Sequence, residues 1–448
     1  MPKLHDPAEV LRVVKARDFG GDLLLKEVQE RVVAVLRMAE ALSPKYHVVV
    51  ANPPYASFKG LNDNLNKFAK DNYPRSKVDL FAMFLERSIT MTREKGYFSH
   101  LNLPSWMFLP SFQEVRSILV DDCHLTSLVH LGRGMFGSDF GTVAFCVRKG
   151  AGHVDFPATF RRLFEKQVDV RSPKKIEQLF LDDTYGLHFA RHDDFRKIPG
   201  KPIAYWLSPS IRALYENPLL GELFSIKEGV GTRNDEVFMK MAWEVSQDTI
   251  GQDRRWIRTD KAGDFRKWYL GPDFLMDWEN DGERIKNYRN LDGSLRSRPQ
   301  NLAFLFQPGV SWGLVGSGFT SFRWRPDGFG FTSASPTVFG EGAFGTLAQL
   351  NSNLMRFLLQ VRGGTMNVTS GVVGELPNLS INQSVLDTTT EAAHRLFQAS
   401  KTDWDSWELA ADFRTLPLLQ PDVRAETLED SYATLRAHWQ SMTDEMLT

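Results

Sequence analysis

The sequence has few cysteines and no long apolar run, and each shortage excludes a class of protein. Only two of its 448 residues are cysteine, Cys123 and Cys146, and neither has histidines nearby at ligand spacing. This argues against a zinc site and against a disulfide framework, so we expect no metal. No apolar run approaches the roughly 18 residues of a membrane helix, and the amino terminus lacks a signal-peptide core. We therefore expect a cytoplasmic protein with no membrane partner.

An excess of positive charge is also missing, since the formal net charge is −1. A protein held on nucleic acid by a uniformly basic surface would be more basic than this. The charges are nevertheless uneven. Residues 293–326 contain four arginines and no acid, whereas residues 380–448 contain twelve acids and five basic residues. The middle of the chain thus offers a local basic face, and its tail is acidic.

The composition, with 42% hydrophobic and 24% charged residues, is typical of a globular protein long enough for two or three domains. The most informative motif is Asn52-Pro53-Pro54-Tyr55, which directly follows the apolar run 46–51. A β-branched run that stops at such a tetrapeptide predicts a buried parallel strand that delivers side chains to a pocket at its carboxyl end. The alternative is an ordinary Asn-Pro turn that closes a strand.

These residue types suit methylation of an amine attached to a flat ring. The N6 lone pair of adenine is delocalised into the purine, so an enzyme must polarise the amine with hydrogen-bond acceptors. The side-chain carbonyl of Asn52 and the backbone carbonyl of Pro53 can each accept one N–H. Pro53 and Pro54 hold the backbone rigid, and Tyr55 offers a ring for base stacking worth roughly 1–3 kcal/mol. We therefore predict Asn52, Pro53, Pro54 and Tyr55 as the catalytic residues.

The remaining pattern predicts the fold class. Helices are expected over 22–41 and 78–92, with Asp79 as a helix cap, and the polar segment 62–75 is expected to be a flexible loop. Further strands are expected over 96–103, 125–131 and 142–148. This alternation of strand and helix is typical of a parallel, doubly wound α/β sheet.

The alternation ends near residue 150, which indicates several domains. We expect the catalytic half-sheet in residues 1–150 and a connector over 151–204. Residues 205–380 are rich in aromatics and glycine and are expected to form an α+β or mainly β domain. Residues 381–448 are expected to be helical.

The tetrapeptide and a series of later motifs resemble adenine-specific DNA methyltransferases of the bacteriophage-exclusion (phage growth limitation) type and related fused restriction-modification enzymes. The motifs of the first half are Asp79-Leu80-Phe81, Gly96-Tyr97-Phe98, Pro104-Ser105-Trp106 and Gly134-Met135-Phe136-Gly137. Those of the second half are the segment 229–238, Lys267-Trp268-Tyr269, Asn351-Ser352, Leu376-Pro377 and the segment 403–408. The resemblance covers almost the whole chain.

The resemblance implies a partial methyltransferase sheet followed by a target-recognition domain, with S-adenosylmethionine as methyl donor and double-stranded DNA as substrate. It implies that Phe136, or alternatively Phe140, stacks on the extruded adenine together with Tyr55. It also implies that Asn52 and Pro53 lie at the methyl-donor edge.

Four residues of the second half are candidates for DNA contacts through phosphates or base edges: Arg233, Asn234, Arg323 and Arg325. The alternative is that these arginines are simply solvated.

One expected feature is missing upstream of the tetrapeptide. Only 51 residues precede Asn52, and they contain no glycine-rich strand-to-helix turn of the kind that holds S-adenosylmethionine in this family. This implies an enzyme without its amino-terminal cofactor half, with a separate chain supplying that half and other phage-defence components as partners. Two further functions stay open: an amino-methyltransferase acting on protein glutamine or RNA, and a non-catalytic DNA-binding remnant or specificity subunit.

Overall fold

The computed structural model describes residues 6–137, 140–150, 157–166, 169–271, 273–316, 319–361, 367–379 and 383–447. The chain divides into two compact units, Met1–Arg212 and Ala213–Thr448. Among the described residues, none of the helices combines the length and the apolarity needed to cross a membrane.

A six-stranded mixed sheet forms the first unit, in the order β1-β2-β4-β3-β5-β6. Its strands are β1 (Tyr46–Ala51), β2 (Thr92–Asn102), β3 (Cys123–Arg133), β4 (Gly141–Lys149), β5 (Ala158–Arg162) and β6 (Leu187–Ala190). The pairs β1/β2 and β3/β5 are parallel, while β4 runs antiparallel to both of its neighbours and β6 runs antiparallel to β5.

The sheet therefore differs in two ways from the parallel sheet expected from the sequence. The strand predicted over 142–148 exists, but it is antiparallel, because the connection between β3 and β4 is too short for the crossover that a parallel pair requires. The sheet also continues beyond residue 150. The segment expected as a connector, 151–204, contributes β5 and β6. Along the chain, the first unit ends at Arg212 and the second begins at Ala213.

Helices precede, separate and follow the strands of the first unit. They are α1 (Pro7–Lys15), α2 (Leu23–Leu42), α3 (Asp63–Asn72), α4 (Leu80–Met91), α5 (Gln113–Asp121), α6 (Pro173–Leu181) and α7 (His192–Arg196), and α8 (Pro209–Ala213) reaches the boundary. α2 and α4 agree with the predicted helices. α3 corrects the prediction of a flexible loop: Asn62 caps it by accepting from the Leu65 N–H at 2.9 Å. The sequence did not predict α3 because the helix is polar and Ala69 is its one buried residue, so it shows no clear apolar periodicity.

The core of the first unit lies between the sheet and the helices α4 and α5. Its largest fully buried side chains include Phe81 of α4, Phe98 of β2, Phe160 of β5 and Trp106. Burying each such ring stabilises the fold by about 1.5–3 kcal/mol. This packing fixes the amino end of α4 close to the carboxyl ends of β1 and β2.

Two four-stranded sheets form the second unit, in the orders β13-β9-β10-β8 and β12-β11-β14-β7. The strands are β7 (Ser225–Lys227), β8 (Met239–Met241), β9 (Trp256–Asp260), β10 (Phe274–Asp277), β11 (Gly309–Trp312), β12 (Phe322–Arg325), β13 (Gly330–Phe331) and β14 (Thr337–Phe339). All neighbouring pairs are antiparallel except β13/β9.

Helices of the second unit lie mostly after its strands. They are α9 (Leu220–Leu223), α10 (Asp235–Phe238), α11 (Glu279–Lys286), α12 (Thr346–Asn351), α13 (Asn353–Val361), α14 (Ser370–Gly374), α15 (Gln383–Asp405) and α16 (Leu428–Leu447). The two long helices, α15 and α16, lie in the segment that the sequence indicates to be helical.

Candidate active site and nucleic-acid-binding residues

The tetrapeptide directly follows β1, at the edge of the sheet. The parallel register pairs Ala51 with His100, which aligns Asn52 and Pro53 with the last residues of β2. The predicted parallel strand is therefore present, but it is not buried on both faces: the exposed fraction is 61% for Val48 and 74% for Val50. The carboxyl ends of two parallel strands thus meet at the tetrapeptide, which is where open α/β sheets bind ligands.

Hydrogen bonds anchor the chain that leaves the tetrapeptide. The Tyr55 hydroxyl donates to the Leu101 carbonyl at 3.2 Å. The Ala56 N–H donates to Oδ1 of Asp79 at 3.1 Å, and the Leu80 N–H donates to the Ala56 carbonyl at 2.9 Å. The loop is thereby fastened both to β2 and to the start of α4.

Asp79 connects this loop to the helix that supports it. Its Oδ1 also accepts from the Phe81 N–H at 3.2 Å, which is the helix cap expected from the sequence. Burial raises the pKa of the Asp79 carboxyl, although the hydrogen bonds from Phe81 and Ala56 oppose that rise. Asp79 is therefore a positioning residue for the loop. Its bond to Ala56 joins residues 23 positions apart, so no local pattern reveals it.

Aromatic rings surround Tyr55. The rings of Phe81 and Phe140 lie perpendicular to the Tyr55 ring, with centroid distances of 6.2 and 5.9 Å. Burial raises the pKa of the Tyr55 hydroxyl. Phe136 is 65% exposed and has a left-handed backbone, with φ of 59°. Of the two phenylalanines considered for base stacking, the structure thus brings Phe140 to Tyr55.

Asn52 is exposed, and within the described part of the chain its side-chain amide has no hydrogen-bond partner. Its carbonyl oxygen is therefore available to an incoming donor. Asn102, at the end of β2, is fully buried, and its side chain interacts with His100, which partly opposes the lowering of the His100 pKa by burial. The sequence does not single out Asn102, because an asparagine at a strand end carries no distinctive local signal.

The structure corrects the expectation that Arg323 and Arg325 contact DNA. Both lie in the interior of the second unit, with exposed fractions of 2% and 4%. The Arg325 guanidinium donates to Oγ1 of Thr337 at 2.9 Å and to the Gln307 carbonyl at 3.2 Å. Since neither guanidinium reaches the surface, these two arginines serve the fold. The sequence suggests an exposed position for them because charged residues are rarely buried unless paired.

A carboxylate on β9 balances these buried cations. Burial alone would raise the pKa of Asp260, but the charges of Arg323 and Arg325 outweigh that effect, and the pKa lies below its usual value. Burial lowers the pKa of Arg325 to about 10, opposed by the Asp260 charge. Oδ1 of Asp260 also accepts from Oγ of Ser335 at 2.8 Å. The three charges form a structural cluster of the second unit.

The other two candidates for DNA contact lie at the surface of the second unit. Arg233 is exposed and has a left-handed backbone with φ of 60°. Asn234 is half-buried, and its Nδ2 donates to the Tyr288 hydroxyl at 3.0 Å. Arg233 therefore has a guanidinium available to a ligand, whereas part of the Asn234 amide is already used.

Several motifs of the second half meet around Asn351. Its side chain accepts from the Phe322 N–H at 3.1 Å and donates to the Phe322 carbonyl at 2.8 Å. Nζ of Lys267 donates to the Asn351 carbonyl at 3.0 Å, and the Trp268 N–H donates to the Phe322 carbonyl at 3.0 Å. These motifs thus hold β12 in place, which is a structural role.

With this geometry established, comparisons with known proteins show which proteins the chain resembles. Residues 24–136, which include the tetrapeptide, match the Eco57I restriction-modification methylase family. The chain is 32% identical over 416 residues to the adenine-specific methyltransferase BrxX of Escherichia coli O9:H4 (strain HS), covering 89% of this chain and 33% of that protein. It is 33% identical over 411 residues to the adenine-specific methyltransferase PglX of Lacticaseibacillus casei (strain Zhang), covering 86% and 33%.

The chain thus spans about a third of the length of the curated relatives it matches. Among solved structures, the type IIL restriction-modification enzyme MmeI in complex with DNA has a similar fold, with a TM-score of 0.50 and 10% identity. That match covers 90% of this chain and 59% of the MmeI chain. The predicted resemblance to adenine-specific methyltransferases is confirmed, because relatives over most of the chain carry that activity in their names.

Proposed function

We propose that this chain supplies the base-binding edge and the target-recognition part of a DNA adenine-N6 methyltransferase in a restriction-modification or phage-defence system. One observation carries the proposal: Asn52-Pro53-Pro54-Tyr55 follows a parallel strand at the sheet edge, inside the segment that matches the methylase family. We assign the base-binding edge to the first unit and target recognition to the second.

In this proposal an adenine leaves the duplex and enters beside Tyr55, at a cost of a few kcal/mol that stacking offsets in part. The N6 amine donates one hydrogen to Oδ1 of Asn52 and the other to the Pro53 carbonyl, which makes the nitrogen a better nucleophile. Tyr55 stacks on the base, and Phe140 adds apolar surface next to it. No covalent intermediate on the enzyme is required.

S-adenosylmethionine would supply the methyl group, but the described residues before β1 do not fit its usual strand and glycine-rich turn. They form two helices, α1 and α2, and Gly20 and Gly21 lie in the turn between them. Asn52 and Pro53 would thus contribute only the methyl-donor edge of a cofactor site. We propose that another protein segment holds the rest of the donor.

The surface beside β1 supports such a partner. β1 is the outermost strand of its sheet. Eight large apolar side chains of α2 are between 39% and 79% exposed: Leu23, Leu24, Leu25, Val28, Val32, Val35, Met38 and Leu42. Contiguous apolar surface of this kind typically marks an interface. A segment that extends the sheet at β1 and covers α2 would bury it.

The test of the catalytic proposal is transfer of a tritiated methyl group from S-adenosylmethionine to duplex DNA, with the chain alone and with the protein encoded immediately upstream of it. We expect Asn52→Ala to lower kcat/KM by about a hundredfold or more, since it removes one of two acceptors at the reacting amine. Asn64→Ala, at an exposed position on α3, is the matched control. Label on protein or RNA instead of duplex DNA would favour the amino-methyltransferase alternative.

A DNA-binding remnant makes a different prediction. If duplex DNA binds but no methyl transfer occurs in either arrangement, and calorimetry detects no S-adenosylmethionine binding, the non-catalytic alternative is correct. Donor binding by the chain alone would instead contradict the need for a partner.

A further inference from the structure

A polar cavity in the second unit lies beside Arg233, away from the buried arginine cluster. It has a volume of about 300 Å³. Three segments line it: residues 230–233 with Asp235 at the start of α10, Lys261 after β9, and residues 332–334 after β13. Its walls carry hydroxyl groups, the guanidinium of Arg233, the ammonium of Lys261 and one carboxylate, that of Asp235.

The backbone that forms the cavity is held rigidly. The Val230 N–H donates to the Phe331 carbonyl at 3.0 Å, and the Ser333 N–H donates to the Val230 carbonyl at 3.1 Å. Gly231 exchanges two backbone hydrogen bonds with Arg298, at 2.9 and 2.7 Å. The backbone at Gly231 and Ser333 is therefore preorganised, whereas the exposed Arg233 side chain loses rotamer entropy when it binds.

Two donors converge on the open space above Gly231. A Cβ built on this glycine would lie 3.6 Å from Oγ of Ser333 and 3.8 Å from Nε of Arg233. It would also lie 3.2 Å from Cβ of Arg298, which is tighter than an ordinary contact. The missing side chain at Gly231 thus leaves a cradle that a hydroxyl and a guanidinium both face.

Of the charged side chains around this cradle, one positive charge is left without a counterion among the described residues. Nζ of Lys261 lies 2.9 Å from a carboxylate oxygen of Asp235, and Thr232 also donates to that carboxylate. Lys261 and Asp235 therefore compensate each other. Arg233 has no ion-pair partner among the described residues, so it supplies the unbalanced positive charge.

The backbone of Arg233 is strained, as it is at nine other non-glycine residues of the described chain. A non-glycine residue in the left-handed region costs roughly 1–2 kcal/mol, and such strain is often retained at functional positions.

We propose that this cavity binds one phosphate of the DNA backbone, with Arg233 and Ser333 donating to its oxygens above Gly231. The proposal rests on the proposed DNA substrate. It deepens that proposal because it names a positioning contact, which sets the duplex on the second unit without reading its sequence.

The experiment measures binding of the full chain to a short fluorescein-labelled duplex by anisotropy over a series of salt concentrations. Removing one charged group that binds a phosphate lowers the slope of log affinity against log salt by about 0.9, and it lowers affinity near 0.1 M salt about eightfold. We expect Arg233→Gly to show both effects, and Arg233→Lys to keep the wild-type slope. Arg424→Ala removes an equal charge at an exposed position of the same unit and serves as the control.

Gly231→Ala is the decisive variant, because it fills the cradle without changing any charge. We expect it to reproduce the smaller slope of Arg233→Gly, whereas a diffuse effect of the Arg233 charge would leave Gly231→Ala like wild type. Urea unfolding of each variant shows whether it is folded. Ser333→Ala removes one donor and should weaken binding about two- to tenfold with the slope kept.

The outcomes separate this inference from the proposed function. If wild type binds duplex DNA and both Arg233→Gly and Gly231→Ala keep its slope, the phosphate site is refuted and the DNA function stands. If wild type binds no duplex at any salt concentration, both fail. Calorimetric binding of inorganic phosphate more tightly than of duplex DNA would overturn the assignment to a DNA phosphate.

Discussion

Replacing Asp260 by asparagine tests whether the buried arginines of the second unit depend on one carboxylate. The substitution keeps the size of the side chain, and Oδ1 can still accept from Ser335, so it removes the charge and turns one acceptor oxygen into an NH2 donor. Arg323 and Arg325 are then left as two buried cations without an opposing charge.

The expected decrease in stability follows from the charges. A pair of unit charges roughly 5 Å apart interacts by about 3 kcal/mol at an effective dielectric constant near 20. Removing one member of a buried charge cluster typically costs about 3–5 kcal/mol. Because an asparagine at this position can still accept the Ser335 hydrogen bond, we expect a decrease of about 2–4 kcal/mol in the free energy of unfolding.

Urea unfolding followed by tryptophan fluorescence measures this decrease as a lower midpoint with an unchanged m-value. The exposed Asp327→Asn is the control, with an expected change within about 0.5 kcal/mol. Adding Arg325→Met to Asp260→Asn should restore at least about 1 kcal/mol, since it removes one uncompensated cation. An Asp260→Asn protein as stable as the control would refute the reasoning.

Four further expectations follow from other sites. Burial raises the pKa of Asp273 to about 6, so the contribution of this residue to stability falls as pH rises from about 4 to 6. In urea titrations, the Asp273→Asn protein should be about 1 kcal/mol more stable than wild type at pH 7.5 and no more stable than wild type at pH 4. Burial lowers the pKa of His130 to about 3, so stability decreases as pH falls from about 6.5 toward 3, and His130→Gln should flatten the acid limb of the unfolding curve. Arg116 is 1% exposed and donates to three backbone carbonyls, so Arg116→Met should cost at least about 3 kcal/mol by calorimetry. In a 2-aminopurine fluorescence assay of base extrusion, Phe140→Ala should weaken base binding more than Phe136→Ala, because of these two rings it is Phe140 that lies beside Tyr55. Equal effects of the two substitutions would show that Phe140 does not contribute to base binding.

The hypothesis of amine methylation came from local patterns in the sequence. The tetrapeptide, its preceding strand, the helix α2 and the Asp79 cap depend on residues close together in the chain, and the structure contains the strand, the helix and the cap. The helix α3 was missed for a related reason. Its signal lies in one cap and one buried alanine, which is too weak for a periodicity argument.

By itself the sequence determined the identity and order of the groups at Asn52 to Tyr55, since these neighbours are fixed by covalent connection and by the rigidity of two prolines. Only the tertiary structure decided that Phe140 lies beside Tyr55 and that Arg323 is buried. The physical reason is the same in each case. Exposure and contact depend on packing between segments far apart in the chain. The local sequence around two arginines is the same whether their side chains face solvent or a buried carboxylate.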